Sequence, residues 1–122
     1  MEKNVLIIED DEFFRELVSK NLSSNGFGVL GAIDGEKGVE KAKESKPDLI
    51  LLDLLLPNLS GFEVLSALKQ NSDTSSIPVI ILSNLSSKED IEKGLKLGAS
   101  DFLIKSQFAS EEIIEKIKSF IK

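Results

Sequence analysis

Five short apolar runs punctuate the chain: Val5 to Ile8, Phe27 to Ala32, Leu49 to Leu52, Val79 to Leu82 and Phe102 to Ile104. They are rich in β-branched residues and leucine and are bounded by polar residues, the signature of strands inside a sheet. They do not alternate with polar positions, so both faces of that sheet should be covered. Between and after them, apolar residues recur three or four apart: Phe14, Val18 and Leu22; Phe62, Leu65 and Leu68; Ile91 and Leu95; Ile113, Ile117 and Phe120. That spacing predicts helices with one buried stripe. The segment from Glu36 to Glu44 is the weakest of the helices, with only Val39 and Ala42 to face inward and Gly38 inside it.

Local signals agree with this division. Ser60 to Glu63 and Ser86 to Glu89 both have the Ser-x-x-Glu spacing of a capping box, and Asp34 can cap the second helix. Gly98 is placed to end the fourth helix in a left-handed conformation. Strand and helix alternate five times, which predicts a parallel sheet with right-handed crossovers and helices on both sides, a doubly wound α/β domain. Ligands of such sheets bind outside the carboxyl ends of the strands.

At 122 residues the chain reads as one domain, residues 1–122, long enough to bury a core without staples. It has no histidine, cysteine, tryptophan or tyrosine. These absences exclude disulfides, zinc fingers, haem, thiol or imidazole nucleophiles and Ser-His-Asp triads. Carboxylates, hydroxyls, lysines and the backbone are left to carry any chemistry. The net charge is -6 and Arg15 is the sole arginine, which argues against direct nucleic-acid binding. No apolar run approaches the roughly 18 residues of a membrane span, and Glu2 and Lys3 do not fit a signal peptide.

The predicted strand ends carry Glu9-Asp10-Asp11, Asp53, Ser83 and Lys105. With the first strand central and the third beside it, Glu9, Asp10 and Asp53 would converge. Two carboxylates about 4 Å apart repel by about 4 kcal/mol at an effective dielectric near 20, so a cation is needed to keep them ionised. Lys105 supplies one charge, and a hard divalent ion such as Mg²⁺, which favours carboxylate, carbonyl and water oxygens, can supply the rest. Taken singly, each feature has a plainer reading. Acidic residues at such a turn are usually helix caps, as Asp11 should be, a terminal Ser is commonly a turn residue, and a lone Lys is commonly solvated. Asp53 has no capping duty, and all four features together point to a site.

These residues resemble the receiver domain of two-component response regulators over the whole chain. The matching signatures are the acidic pair after Val5 to Ile8, Pro47 to Asp53 followed by Leu56-Pro57 and Ser60-Gly61, Ser83 closing Pro78 to Leu82, and Gly98 to Lys105. The resemblance implies a flavodoxin-like sheet of order 2-1-3-4-5 with five helices. It also implies that Asp53 is phosphorylated by a partner sensor histidine kinase or phosphotransfer protein, forming an acyl phosphate. Asp10, Asp53 and the backbone carbonyl of Leu55 would be Mg²⁺ ligands, with Glu9 the second acidic residue, often acting through water. Lys105 would pair with the phosphoryl oxygens and Ser83 would donate its hydroxyl to one of them. Ser83 and Phe102 would then switch the face made by the fourth helix, fifth strand and fifth helix, which addresses a downstream effector or a weak dimer partner and leaves the chain otherwise monomeric. Such a domain is cytoplasmic and assists its own phosphorylation and dephosphorylation without being a turnover enzyme. With no histidine the chain cannot be its own phosphohistidine donor.

Two readings compete. A pseudo-receiver would bind a partner without phosphoryl chemistry, but would be expected to lack Asp53, Asp10 or Lys105. A nucleotide-binding oxidoreductase or aspartyl phosphatase on this architecture would need a glycine fingerprint after the first strand or a second aspartate two residues after Asp53; neither is present.

The sequence departs from the family in three places. Ser106 stands where a cis-proline is usual, and because a non-proline cis bond costs about 2.5–4 kcal/mol, a trans Lys105–Ser106 bond and a reshaped loop are expected. Phe102 lacks the hydroxyl of the usual tyrosine, so the switch must act by packing. Leu55 and Leu85, two residues after Asp53 and Ser83, replace polar groups that orient water, which should dry the site and prolong the phosphorylated state. Leu85→Glu is therefore expected to shorten the phosphate lifetime, measured as decay after removal of the phosphoryl donor; an unchanged decay would refute the role given to Leu85.

Overall fold

The computed structural model describes residues 2–121. The elements run β1 (Asn4–Ile8), α1 (Glu12–Ser24), β2 (Gly28–Ala32), α2 (Gly35–Ser45), β3 (Leu49–Leu52), α3 (Gly61–Gln70), β4 (Val79–Ser83), α4 (Lys88–Lys96), β5 (Asp101–Ile104) and α5 (Ser110–Phe120). All neighbouring strands pair parallel, in the order β2-β1-β3-β4-β5. This is the doubly wound, flavodoxin-like sheet that the alternation and the resemblance predicted.

Strand parity divides the core in two. Successive side chains of a strand point to opposite faces, and Val5, Ile7, Leu49, Leu51, Ile80, Leu82 and Leu103 share one cluster with Val18 and Leu22 of α1 and Ile113, Ile114 and Ile117 of α5. Leu6, Ile8, Ile50, Leu52, Val79 and Ile81 share the other with Ala42 of α2 and Val64, Leu65 and Leu68 of α3. The apolar runs are unbroken because each strand is covered twice. The two edge strands are the exceptions: Gly28 to Gly31 of β2 are only half-buried, as are Asp101, Phe102 and Ile104 of β5.

The helix ends follow the local chemistry. Asp11, Asp34 and Ser60 accept from the backbone N–H groups of Phe14, Lys37 and Glu63, and Glu63 completes the capping box. Gly98 has φ 111°, the left-handed stop expected of it. The box expected at Ser86 does not form; the cap is Ser87, one residue later. Ser87 Oγ accepts from Asp90 N–H at 3.1 Å and donates to Asp90 Oδ2 at 2.8 Å, so Asp90 rather than Glu89 is the partner.

Two helices dock through glycine. Gly38, which weakened the sequence case for α2, is buried where a Cβ would strike Ile8. On α4, Leu95 was expected to face inward with Ile91, but Leu95 is exposed, Ile91 is only half-buried, and Gly94 is the helix's one fully buried residue among those described. A Cβ on Gly94 would collide with Ile81 and come within 3.2 Å of Phe102, so the helix approaches the sheet through its missing side chain. Phe120 of α5, also placed inward by its spacing, is largely exposed at the helix end. The Lys105–Ser106 bond is trans, and Lys105–Gln107 form a single 3₁₀ turn before α5. Among the described residues no helix is long and apolar enough to cross a membrane.

Gly61 ties this scaffold to the strand ends. Its N–H donates to Leu54 O at 3.0 Å, and a Cβ there would fall on the main chain of Asp53 and Leu54, which cannot rotate away. Gly61→Ala is expected to cost about 2–3 kcal/mol in urea denaturation. Gly26→Ala, with φ 88° but open space around it, should cost only the smaller strain of its left-handed backbone, about 1 kcal/mol. Equal losses at the two positions would count against the close packing described for Gly61.

Candidate functional site

Register brings the chemistry together. Ile8 pairs with Leu52, so the next residues, Glu9 and Asp53, leave the sheet side by side. Ser83 pairs with Ile104, so Lys105 follows at the same end. Glu9, Asp53 and Ser83 are buried at 3%, 6% and 0% exposure, unusual for two carboxylates, whereas Asp10 is exposed. One oxygen from each of Glu9, Asp10 and Asp53 lies within 4.8 Å of the others. Lys105 Nζ is 2.5 Å from Glu9 Oε1 and 3.4 Å from Asp53 Oδ2.

The backbone fixes these groups. Glu9 Oε2 accepts from Asp11 N–H at 3.1 Å, and Arg15 Nη1 donates to the Glu9 carbonyl at 2.8 Å. Asp53 Oδ1 accepts from Leu55 N–H at 3.3 Å, which sets the Leu55 backbone beside the cluster. Ser83 Oγ accepts from Leu85 N–H at 3.4 Å and keeps its own hydroxyl proton free to turn. Asp11 is occupied as the α1 cap, outside the carboxylate cluster. Leu85 packs against the core face of α2 and α3, while the Leu55 side chain is 56% exposed. Phe102 is half-buried beside the same core face and next to Gly94.

Two neighbours of the site escaped the sequence reading. Arg15 follows Glu9 by six residues and reaches back to hold its carbonyl; being the only arginine was the available hint. Phe14 fits the helix stripe, yet its ring centroid lies 4.5 Å from Lys105 Nζ.

Three carboxylates face one ammonium, so two negative charges are uncompensated when all are ionised. At these separations each repulsive pair is worth about 3–4 kcal/mol at an effective dielectric near 20. Burial pushes Glu9 up to about 7, against the hydrogen bond from Lys105, and the charge of Asp53 adds to the rise. Burial also works against the Lys105 ammonium, but the hydrogen bond to Glu9 and the charge of Asp53 outweigh it and hold the lysine above its usual range. The donor set is all oxygen, with an exposed carboxylate at Asp10 and charge to spare. It fits a hard divalent cation such as Mg²⁺ and does not resemble a nitrogen- or sulfur-lined zinc site.

The sequence model described as "Response regulator receiver domain" matches residues 5–118. The chain belongs to this family. Receiver domains are the signal-accepting modules of two-component systems. The chain is 40% identical over 97% of its length to the DNA-binding dual master transcriptional regulator RpaA of Synechocystis, covering 48% of that protein. It is 38% identical over its whole length to the phosphate regulon transcriptional regulatory protein PhoB of Escherichia coli, covering 53%. It thus spans about half the length of these curated relatives. Among solved structures, the chemotaxis protein CheY4 of Vibrio cholerae superposes with a TM-score of 0.92 at 28% identity, covering 99% of this chain and 100% of that one. The receiver domain of the sensor histidine kinase PA1611 of Pseudomonas aeruginosa, whose structure has a magnesium ion coordinated in the active site cleft, superposes with a TM-score of 0.89 at 26% identity, covering 99% and 98%.

The raised Glu9 has a consequence for this receiver domain. Between the ordinary value of 4.5 and about 7, the folded chain holds a proton on Glu9 that the unfolded chain has lost, so stability falls as pH rises through that window. Lys105, raised instead, keeps its stabilising contribution throughout this range and loses it only in strong alkali. Urea denaturation of the metal-free domain across the window should show this decline, and Glu9→Gln should flatten it. A decline of the same slope in the variant would count against the assignment.

Proposed function

We propose that Asp53 is the phosphoacceptor of this receiver domain, phosphorylated in an Mg²⁺-dependent reaction by a histidine kinase or phosphotransfer protein. The observation that carries this reading is the buried Asp53 carboxylate, bonded to Lys105 and sharing its pocket with Glu9 and Asp10. A carboxylate oxygen of Asp53 attacks phosphorus, the phosphorus–nitrogen bond of the phosphohistidine breaks, and the imidazole leaves with the bonding pair. Asp10, Asp53 and the Leu55 carbonyl would hold Mg²⁺, with Glu9 acting through water, and the bound ion supplies neutralisation of the charge gathering on the phosphoryl oxygens. The magnesium in the cleft of the PA1611 receiver supports this choice of ion.

Lys105 moves from the carboxylates to the phosphoryl oxygens, replacing one charge-assisted contact by another. The Ser83 hydroxyl turns to donate to a phosphoryl oxygen, drawing in the start of the β4–α4 loop. Phe102 follows into the space released, and α4, seated largely through Gly94, moves with it. The altered α4-β5-α5 face is the output surface, addressed to a downstream effector or to a weak dimer partner. The acidic receiver does not itself bind nucleic acid, and it acts in the cytoplasm as a switch without turning over a substrate.

The test is incubation with acetyl phosphate and Mg²⁺ followed by intact-mass measurement. The wild-type chain should gain one phosphoryl group. Asp53→Asn and chelation of the metal should each abolish the gain, and Lys105→Ala should slow it by at least about tenfold. A wild-type chain that gains nothing would instead support a partner-binding pseudo-receiver.

A further inference from the structure

We infer that Phe14 is a positioning residue for Lys105: its ring face holds the ammonium at the carboxylate cluster and so governs its delivery to a phosphoryl group on Asp53. This rests on the phosphoacceptor reading and extends it to a side chain on another element.

The Lys105 ammonium has three N–H donors. Glu9 and Asp53 are its two oxygen partners, and the Phe14 ring centroid, 4.5 Å away, is a third neighbour. That distance is within the roughly 6 Å over which the negative face of an aromatic ring attracts a cation, and the attraction grows when the cation is desolvated. The Lys105 side chain is only 13% exposed, so it meets that condition. By contrast, Lys93 over Phe62, at 4.4 Å, is an exposed lysine still in contact with water.

Phe14 is itself fixed. Its N–H is held by the Asp11 cap at 3.2 Å, and its side chain packs against the core of β1, α1 and α5. Neighbouring Phe13 is 78% exposed and has no such seat. A long flexible lysine is therefore bounded by groups from three elements: Glu9 after β1, Asp53 after β3 and Phe14 on α1. It lies closer to Glu9 than to Asp53, 2.5 against 3.4 Å, so it must travel when phosphorus arrives. The ring keeps the ammonium at the pocket during that exchange without competing as a hydrogen-bond acceptor. A leucine could replace the volume but not the ring quadrupole.

The test combines two measurements on the 122-residue chain. In the metal-free wild type, the NMR signals of the Lys105 ε-methylene protons should show an upfield ring-current shift, lost in Phe14→Leu and kept in Phe14→Tyr. With acetyl phosphate and Mg²⁺, Phe14→Leu should be phosphorylated about five- to tenfold more slowly and Phe14→Tyr within about twofold of wild type. In a Lys105→Ala background, Phe14→Leu should cause no further slowing, because its partner is gone. Phe14→Met replaces the leucine variant if that one fails to fold. An unshifted wild-type methylene, a leucine variant phosphorylated at the wild-type rate, or the same slowing in the Lys105→Ala background would each overturn the inference. A wild-type chain that takes up no phosphoryl group overturns the phosphoacceptor reading and Lys105 delivery with it; the ring-current shift, which needs no donor, tells that failure apart.

Discussion

Like-charge repulsion at one end of a parallel sheet is the constraint on which this molecule turns. The register that pairs Ile8 with Leu52 brings the next residues, Glu9 and Asp53, out together, and Asp10 adds a third carboxylate. Hydrophobic burial along β1 and β3 favours that register: each apolar run stops at its carboxylate, so a slip of either strand would draw Glu9 or Asp53 into the apolar sheet. The core thus holds together charges that would separate if free. Lys105 relieves part of the repulsion, Glu9 holds its proton more tightly because it is buried and, to a lesser degree, because Asp53 is beside it, and the remaining charge suits a divalent ion.

Much of this was legible in the sequence because it depends on position along strands. Runs such as Leu49 to Leu52 could be read as doubly covered strands, so the residue closing each run had to lie at a sheet end. Asp53 stood out by its lack of a local duty. The resemblance added the strand order, which composition and periodicity alone do not supply.

What escaped the sequence did so for physical reasons. A stripe argument counts large apolar side chains, so it selected Leu95 and passed over Gly94, where contact is made by the absence of a side chain. The Ser-x-x-Glu spacing points to Ser86, but the cap is Ser87, whose hydroxyl exchanges hydrogen bonds with Asp90, a contact that the spacing rule does not weigh. Phe14 fits a helix stripe whether its ring meets only core or also a cation. Its second role depends on where Lys105 arrives from the far side of the sheet order, which no local window contains.

The helices are unevenly anchored on this sheet. On one side of the sheet, α1 and α5 are anchored by five buried aliphatic side chains, Val18, Leu22, Ile113, Ile114 and Ile117. On the other, α4 has only Gly94 fully buried among the described residues. Local opening is least costly where few apolar contacts must be broken. Val64, Leu65 and Leu68 hold α3 firmly on that same face, so the weak seat is α4's own and not a property of the whole face. In the proposed switch, displacement would pass to α4 because it is the helix with the fewest buried contacts to break.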